Sequence, residues 1–115
     1  MKNRIVTLPI FDKRYKRFSK KFPSLNKDLL VLKALLLENP KIGVLITENT
    51  YKIRLASTDK KSGKSGGFRI ITYLIEEKED GIEINLMLIY DKSEESAVTN
   101  TKHIYYIDQI SSKKT

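Results

Sequence analysis

Apolar positions recur first at helical and then at strand spacing. Phe11, Tyr15, Phe18 and Phe22 fall at i, i+4, i+7 and i+11, which on a helix sets four aromatics on one stripe. Lys13, Arg14, Lys16, Arg17, Lys20 and Lys21 take most of the remaining positions. Pro23 stops this helix, and Ser24 is a suitable N-cap for a second, in which Leu25, Leu29, Leu32 and Leu36 repeat the same spacing until Asn39 and Pro40 end it. Before the helices, Lys2 to Leu8 predicts a short strand that Pro9 terminates. After them, Tyr51 to Leu55 alternates Tyr-Lys-Ile-Arg-Leu, so Tyr51, Ile53 and Leu55 share one face of a strand and Lys52 and Arg54 the other. A Ser, Gly and Lys-rich loop over Ser57 to Gly67 leads to a second strand, Phe68 to Ile75. A turn ending in Asp80-Gly81 leads to a third, Ile82 to Tyr90. Ser93 to Ile110 predicts a short terminal helix contacting through Val98, Ile104 and Ile107, although Thr99, Asn100 and Thr101 oppose it, and Ser111 to Thr115 reads as a frayed tail.

These elements predict one α+β domain over residues 1 to 115. Two N-terminal helices pack on one face of a small antiparallel sheet, whose apolar face covers the helices' stripes, with a short C-terminal helix after it. The chain has no cysteine, which excludes a disulfide framework, a thiolate zinc site and a cysteine nucleophile. No apolar run has the length of a membrane span and Met1 to Ile10 holds no signal-peptide core, so the expectation is a soluble cytoplasmic protein.

Charge sharpens the picture. The 22 Lys and Arg against 14 Asp and Glu leave a net charge of +8. Met1 to Phe22 carries eight basic residues and one acid, Tyr51 to Ile70 six and one, and Ile71 to Asn100 two and eight. Such segregation predicts one surface for an anion. Centring the loop of the first hairpin near Lys61 and Ser62 sets Arg54 opposite Arg69, Lys52 opposite Ile71, Ile53 opposite Ile70 and Leu55 opposite Phe68. One face is then apolar and the other gathers Lys52, Arg54 and Arg69. Like charges across a sheet repel, and a phosphate between them would resolve the repulsion. Lys60, Lys61 and Lys64 hang from the loop beside this face, with Gly63, Gly66 and Gly67 able to bring backbone amides to an anion; a plain solvated loop would account for these lysines equally well. Gly63-Lys64-Ser65 is no P-loop, because Thr58 stands where that motif needs glycine. His103 is the sole histidine, so neither a metal site nor a Ser-His-Asp set can be assembled.

The order Tyr51-Lys52-Ile53-Arg54-Leu55-Ala56, the loop Lys60 to Gly67, Phe68-Arg69-Ile70-Ile71-Thr72-Tyr73 and Ile89-Tyr90-Asp91-Lys92-Ser93-Glu94 resembles the RelE/ParE toxin superfamily, and within it the HigB-type branch. Phe22-Pro23-Ser24-Leu25 resembles the helix junction of the same proteins. The resemblance implies the toxin of a type II toxin–antitoxin pair, an endoribonuclease that cleaves mRNA on the ribosome and stops translation, with no metal or other cofactor. It implies catalytic roles for Lys52, Arg54, Arg69 and Lys92, and RNA or ribosome contacts at Lys60, Lys61, Lys64, Lys13 and Arg17. Its implied partners are mRNA on the ribosome and a cognate antitoxin carrying a helix-turn-helix.

The implied chemistry is attack of a ribose 2′-OH on the adjacent phosphate, with Arg54 and Arg69 holding the phosphoryl oxygens. Lys52 is the candidate base and Lys92 the candidate acid, two roles that can be exchanged. Some RelE-like toxins use a Tyr or His near the C-terminus, and Tyr105, Tyr106 and His103 compete for that part here. Two other functions share the scaffold or the charge. A ParE-like gyrase inhibitor needs no phosphoryl-sized basic pocket. A non-catalytic RNA-binding module predicts stacking aromatics on the charged face, where this register offers only Tyr73.

Overall fold

The computed structural model describes residues 2–56, 67–77, 79 and 81–91. Its elements are β1 (Arg4–Thr7), α1 (Pro9–Lys21), α2 (Leu25–Glu38), β2 (Val44–Thr47), β3 (Thr50–Leu55), β4 (Phe68–Glu77) and β5 (Gly81–Asp91). Five strands form one sheet in the order β1-β5-β4-β3-β2. The expected α+β layering is present: both helices pack on one face of the sheet, through Phe11, Phe18, Leu25, Leu29, Leu32 and Leu36 against Ile53, Leu55, Phe68, Ile70, Leu74, Ile84, Leu86 and Ile89. Phe18 and Phe22 meet Phe68 with ring centroids 5.0 and 5.6 Å apart, so three of the aromatics around the helix junction form one cluster.

The sheet is mixed and not antiparallel throughout. The meander β2-β3-β4-β5 is antiparallel, as short connections require, but β1 lies parallel to β5 because two helices intervene before the chain returns to the sheet. β2 is an additional strand. Val44, Leu45 and Ile46 form a run too short to show alternation, and Asn49 at φ 58° closes the turn into β3 by adopting a left-handed conformation that asparagine tolerates. Pro9 opens α1, where its missing N–H costs nothing. Ser24 does occupy the N-cap of α2, yet its backbone is already helical and its hydroxyl makes no capping hydrogen bond.

The β3–β4 register agrees with the expected one at every pair: Arg54 faces Arg69, Lys52 faces Ile71, Ile53 faces Ile70 and Leu55 faces Phe68. Gly67 re-enters the sheet at φ +100°, where an added Cβ would lie 2.8 Å from the Leu55 carbonyl oxygen, so glycine is required at this approach. The β4–β5 register shifts between Ile71 and Thr72, whose partners are Leu88 and Leu86, leaving Met87 as the extra residue of a bulge. The expected terminal helix, the loop lysines Lys60, Lys61 and Lys64, and Lys92, His103, Tyr105 and Tyr106 lie outside the described residues.

Candidate phosphate-binding face

The sheet face turned away from the helices is built by strand alternation. On β3, Ile53 and Leu55 enter the core while Lys52 and Arg54 are exposed. On β4, Phe68 and Ile70 enter the core and Arg69 takes the other face, but with a difference. Arg69 is only 6% exposed. Its Nη1 donates to the Phe68 carbonyl oxygen at 3.3 Å, and among the described residues no acid forms an ion pair with Arg69, Arg54 or Lys52. A guanidinium taken out of water opposite a second arginine, with no ion pair to it among the described residues, is a candidate position for an anion.

The Met87 bulge completes the face. By resetting the phase of β5, it leaves Ile84, Leu86 and Ile89 in the helix-side core while Leu88 and Tyr90 join the opposite face. Arg54, Arg69 and Tyr90 thus form one row across three strands, and Lys52, Ile71 and Leu88 the next. Tyr73 is accordingly not the only aromatic on the charged face. The run Leu86-Met87-Leu88-Ile89-Tyr90 contains no polar residue to mark its phase, so alternation along the sequence conceals Tyr90. Ile71, Leu88, Tyr90, Met87 and Leu8 are all buried in a second apolar cluster, edged by Ile46, Tyr73 and Ile75. The arginines border an apolar floor, where electrostatic interactions are stronger than in water.

Two acids of the same face, Glu77 and Glu83, stand at its other end. Arg4 Nη2 contacts Glu83 Oε1 at 2.6 Å and Glu77 Oε1 at 3.0 Å, and Asn85 Nδ2 donates to Glu83 Oε2 at 3.1 Å. Glu83 is opposite Ile75, six residues along β4 from Arg69, or about 20 Å of strand. Two of the acids that follow residue 71 in sequence, Glu77 and Glu83, thus serve to hold β1, whereas Asp91 lies opposite Phe68 at the arginine end of the sheet.

Lys13 and Arg17 lie elsewhere. They border a shallow cleft of about 350 Å³ on α1 together with Ile10 and Arg14, and α1 packs on the sheet face opposite the arginine row. Arg17 also lies over the Phe18 ring, 4.3 Å from its centroid. The expected site residues therefore fall into two groups, Lys52, Arg54 and Arg69 on the sheet and Lys13 and Arg17 on the helix.

Searched against protein-family models, the chain matches none. Among solved structures it is similar to the E. coli toxin RelE, in the free state of a double mutant, with a TM-score of 0.55 over 84% of this chain and 90% of that one. The chain has the RelE fold. Sequence identity over that match is 17%, so the RelE likeness is one of architecture: the same helical layer over a sheet whose open face here presents Arg54 and Arg69. No helix among the described residues is long and apolar enough to cross a membrane.

Proposed function

We propose that this chain is the toxin of a type II toxin–antitoxin pair of the HigB-like kind, a cytoplasmic endoribonuclease that cuts mRNA on the ribosome. The observation that carries the reading is the cross-strand pair of Arg54 with the buried Arg69, on a RelE fold, with no acid paired to either among the described residues. Two guanidiniums at adjacent positions match the oxygens of a phosphodiester, and Arg69 is almost wholly buried on the sheet.

In the proposed reaction the ribose 2′-oxygen bonds to phosphorus and the bond to the 5′-oxygen breaks, leaving a 2′,3′-cyclic phosphate and a 5′-hydroxyl. Arg54 and Arg69 stabilise the negative charge that grows on the phosphoryl oxygens. Lys52, one strand alternation from Arg54, takes the 2′-hydroxyl proton, and Lys92 returns a proton to the leaving 5′-oxygen. The loop lysines Lys60, Lys61 and Lys64 would hold flanking phosphates, and the Lys13–Arg17 cleft on α1 would meet ribosomal RNA. The mRNA bound on the ribosome is the substrate, and a cognate antitoxin with a helix-turn-helix is the regulatory partner.

The test is primer extension on a defined mRNA in a purified translation system, with and without ribosomes. New 5′ ends should require ribosomes and should fall by about 10² to 10³-fold in Arg69→Ala. Intact mRNA under conditions where translation or growth nevertheless stops would overturn the nuclease assignment and direct attention to gyrase.

A further inference from the structure

The outward face of α2 is unusual. Leu25, Leu29, Leu32 and Leu36 are buried against the sheet, yet the opposite side carries Leu30, Val31, Ala34 and Leu35, with Leu30 69%, Val31 54% and Leu35 49% exposed. A helix apolar all round belongs in an interior. The stripe has i, i+4 spacing and is bounded by Lys27 one turn before and Glu38 one turn after. These end charges are placed against the helix dipole, which favours acids at the N-terminus and bases at the C-terminus.

Both oddities disappear when the helix meets itself. In an antiparallel pair crossing between Leu32 and Lys33, Val31 lies opposite Ala34 of the second copy, with Leu30 and Leu35 of the two copies level with one another on the flanks of the contact. Lys27 lies opposite the second copy's Glu38 at both ends. We propose that a second copy of this chain covers the outward face of α2, forming a two-fold symmetric antiparallel helix pair. The surface is self-complementary, as a two-fold contact requires. It is also the part of the chain where a copy meets least repulsion: residues 25 to 50 hold three lysines (Lys27, Lys33, Lys41) and three acids (Asp28, Glu38, Glu48), whereas the chain as a whole carries +8. The contact from Lys27 to Glu38 is about 18 Å long, of which the apolar stripe takes about 9 Å, which is small beside the roughly 800 Å² per partner of stable assemblies, so the dimer is weak, with a dissociation constant of about 10 µM or more.

Sedimentation velocity on the full chain, from about 1 µM to about 1 mM, tests this. The wild type should shift from monomer to dimer. Lys27→Glu and Glu38→Lys should each weaken the dimer by about ten-fold, and the double exchange should restore it. Leu30→Asp should leave a monomer of unchanged circular dichroism, since the side chain it replaces is exposed. A monomer at every concentration would overturn the proposal, as would a dimer insensitive to both charge reversals. Protection of α2 from hydrogen exchange only on adding another protein would likewise assign the stripe to a different partner. None of these readouts depends on RNA cleavage.

Discussion

Arg69 is in a position where stability and activity should oppose one another. Its charge is buried beside Arg54 and above Ile71 and Leu88. Arg69→Met keeps a long apolar stem and removes the charge, so it should raise stability by about 1 to 4 kcal/mol while abolishing the proposed cleavage. Thermal melting and primer extension on the same preparation check both halves. Arg69→Lys should not rescue cleavage, because an ammonium cannot reproduce the planar fork of a guanidinium. A second residue, Tyr15, links the helices through its hydroxyl and the Asn26 side chain, and burial raises its pKa above the usual 10.0. An acid whose pKa is raised by folding ionises more readily in the unfolded chain, so the stability tied to neutral Tyr15 is present at lower pH and is lost as pH rises past about 10. Melting temperatures measured up to pH 11 should fall less steeply in Tyr15→Phe than in wild type over that range.

At the scale of elements, the bulge at Met87 decides which side chains share the basic face. Deleting Met87 would close the bulge with Leu86 still opposite Thr72 and Leu88 still opposite Ile71, so that variant should keep cooperative thermal unfolding, whereas one residue inserted between Leu88 and Ile89 would turn Ile89 out of the core and Tyr90 into it and should abolish it. β1 depends instead on polar contacts: the Asn3 side chain accepts from the Ile82 N–H and donates to the Leu37 carbonyl, and Arg4 joins Glu83 and Glu77. Arg4→Ala leaves Glu83, 3% exposed, without that charge partner and should cost about 1 to 3 kcal/mol in denaturant unfolding. These two elements also mark where sequence reasoning succeeded and where it failed. The α1 stripe and the β3 alternation are visible because one side of each is buried and the other polar, and the turn-centred register of β3 on β4 follows from satisfying both sides at once. The apolar run through Tyr90 carries no such contrast, and the parallel pairing of β1 depends on contacts some 79 positions apart, as between Arg4 and Glu83, that no local pattern records. The candidate site was therefore legible as Lys52, Arg54 and Arg69, whereas Tyr90 required the bulge to be seen.

For the whole molecule, a charge of +8 gives an extended attraction for polyanions in addition to the local pair of arginines. If Lys13 and Arg17 meet ribosomal RNA, co-sedimentation with ribosomes should weaken steeply as salt rises, and Lys13→Glu/Arg17→Glu should flatten that dependence. Such a variant should leave the arginine row intact, since α1 lies across the sheet from it.

The parallel edge has a kinetic consequence. The β3–β4–β5 meander is joined by connections of twelve and three residues and can nucleate locally, but β1 has no partner until β5 is in place, and closing that distance loses more chain entropy than any other pairing in the sheet. Docking of β1 is then the last step of folding and the first of unfolding. The Asn3 and Arg4 contacts act as a latch on the native state's lifetime, and their removal should accelerate unfolding in stopped-flow measurements while leaving the refolding rate nearly unchanged.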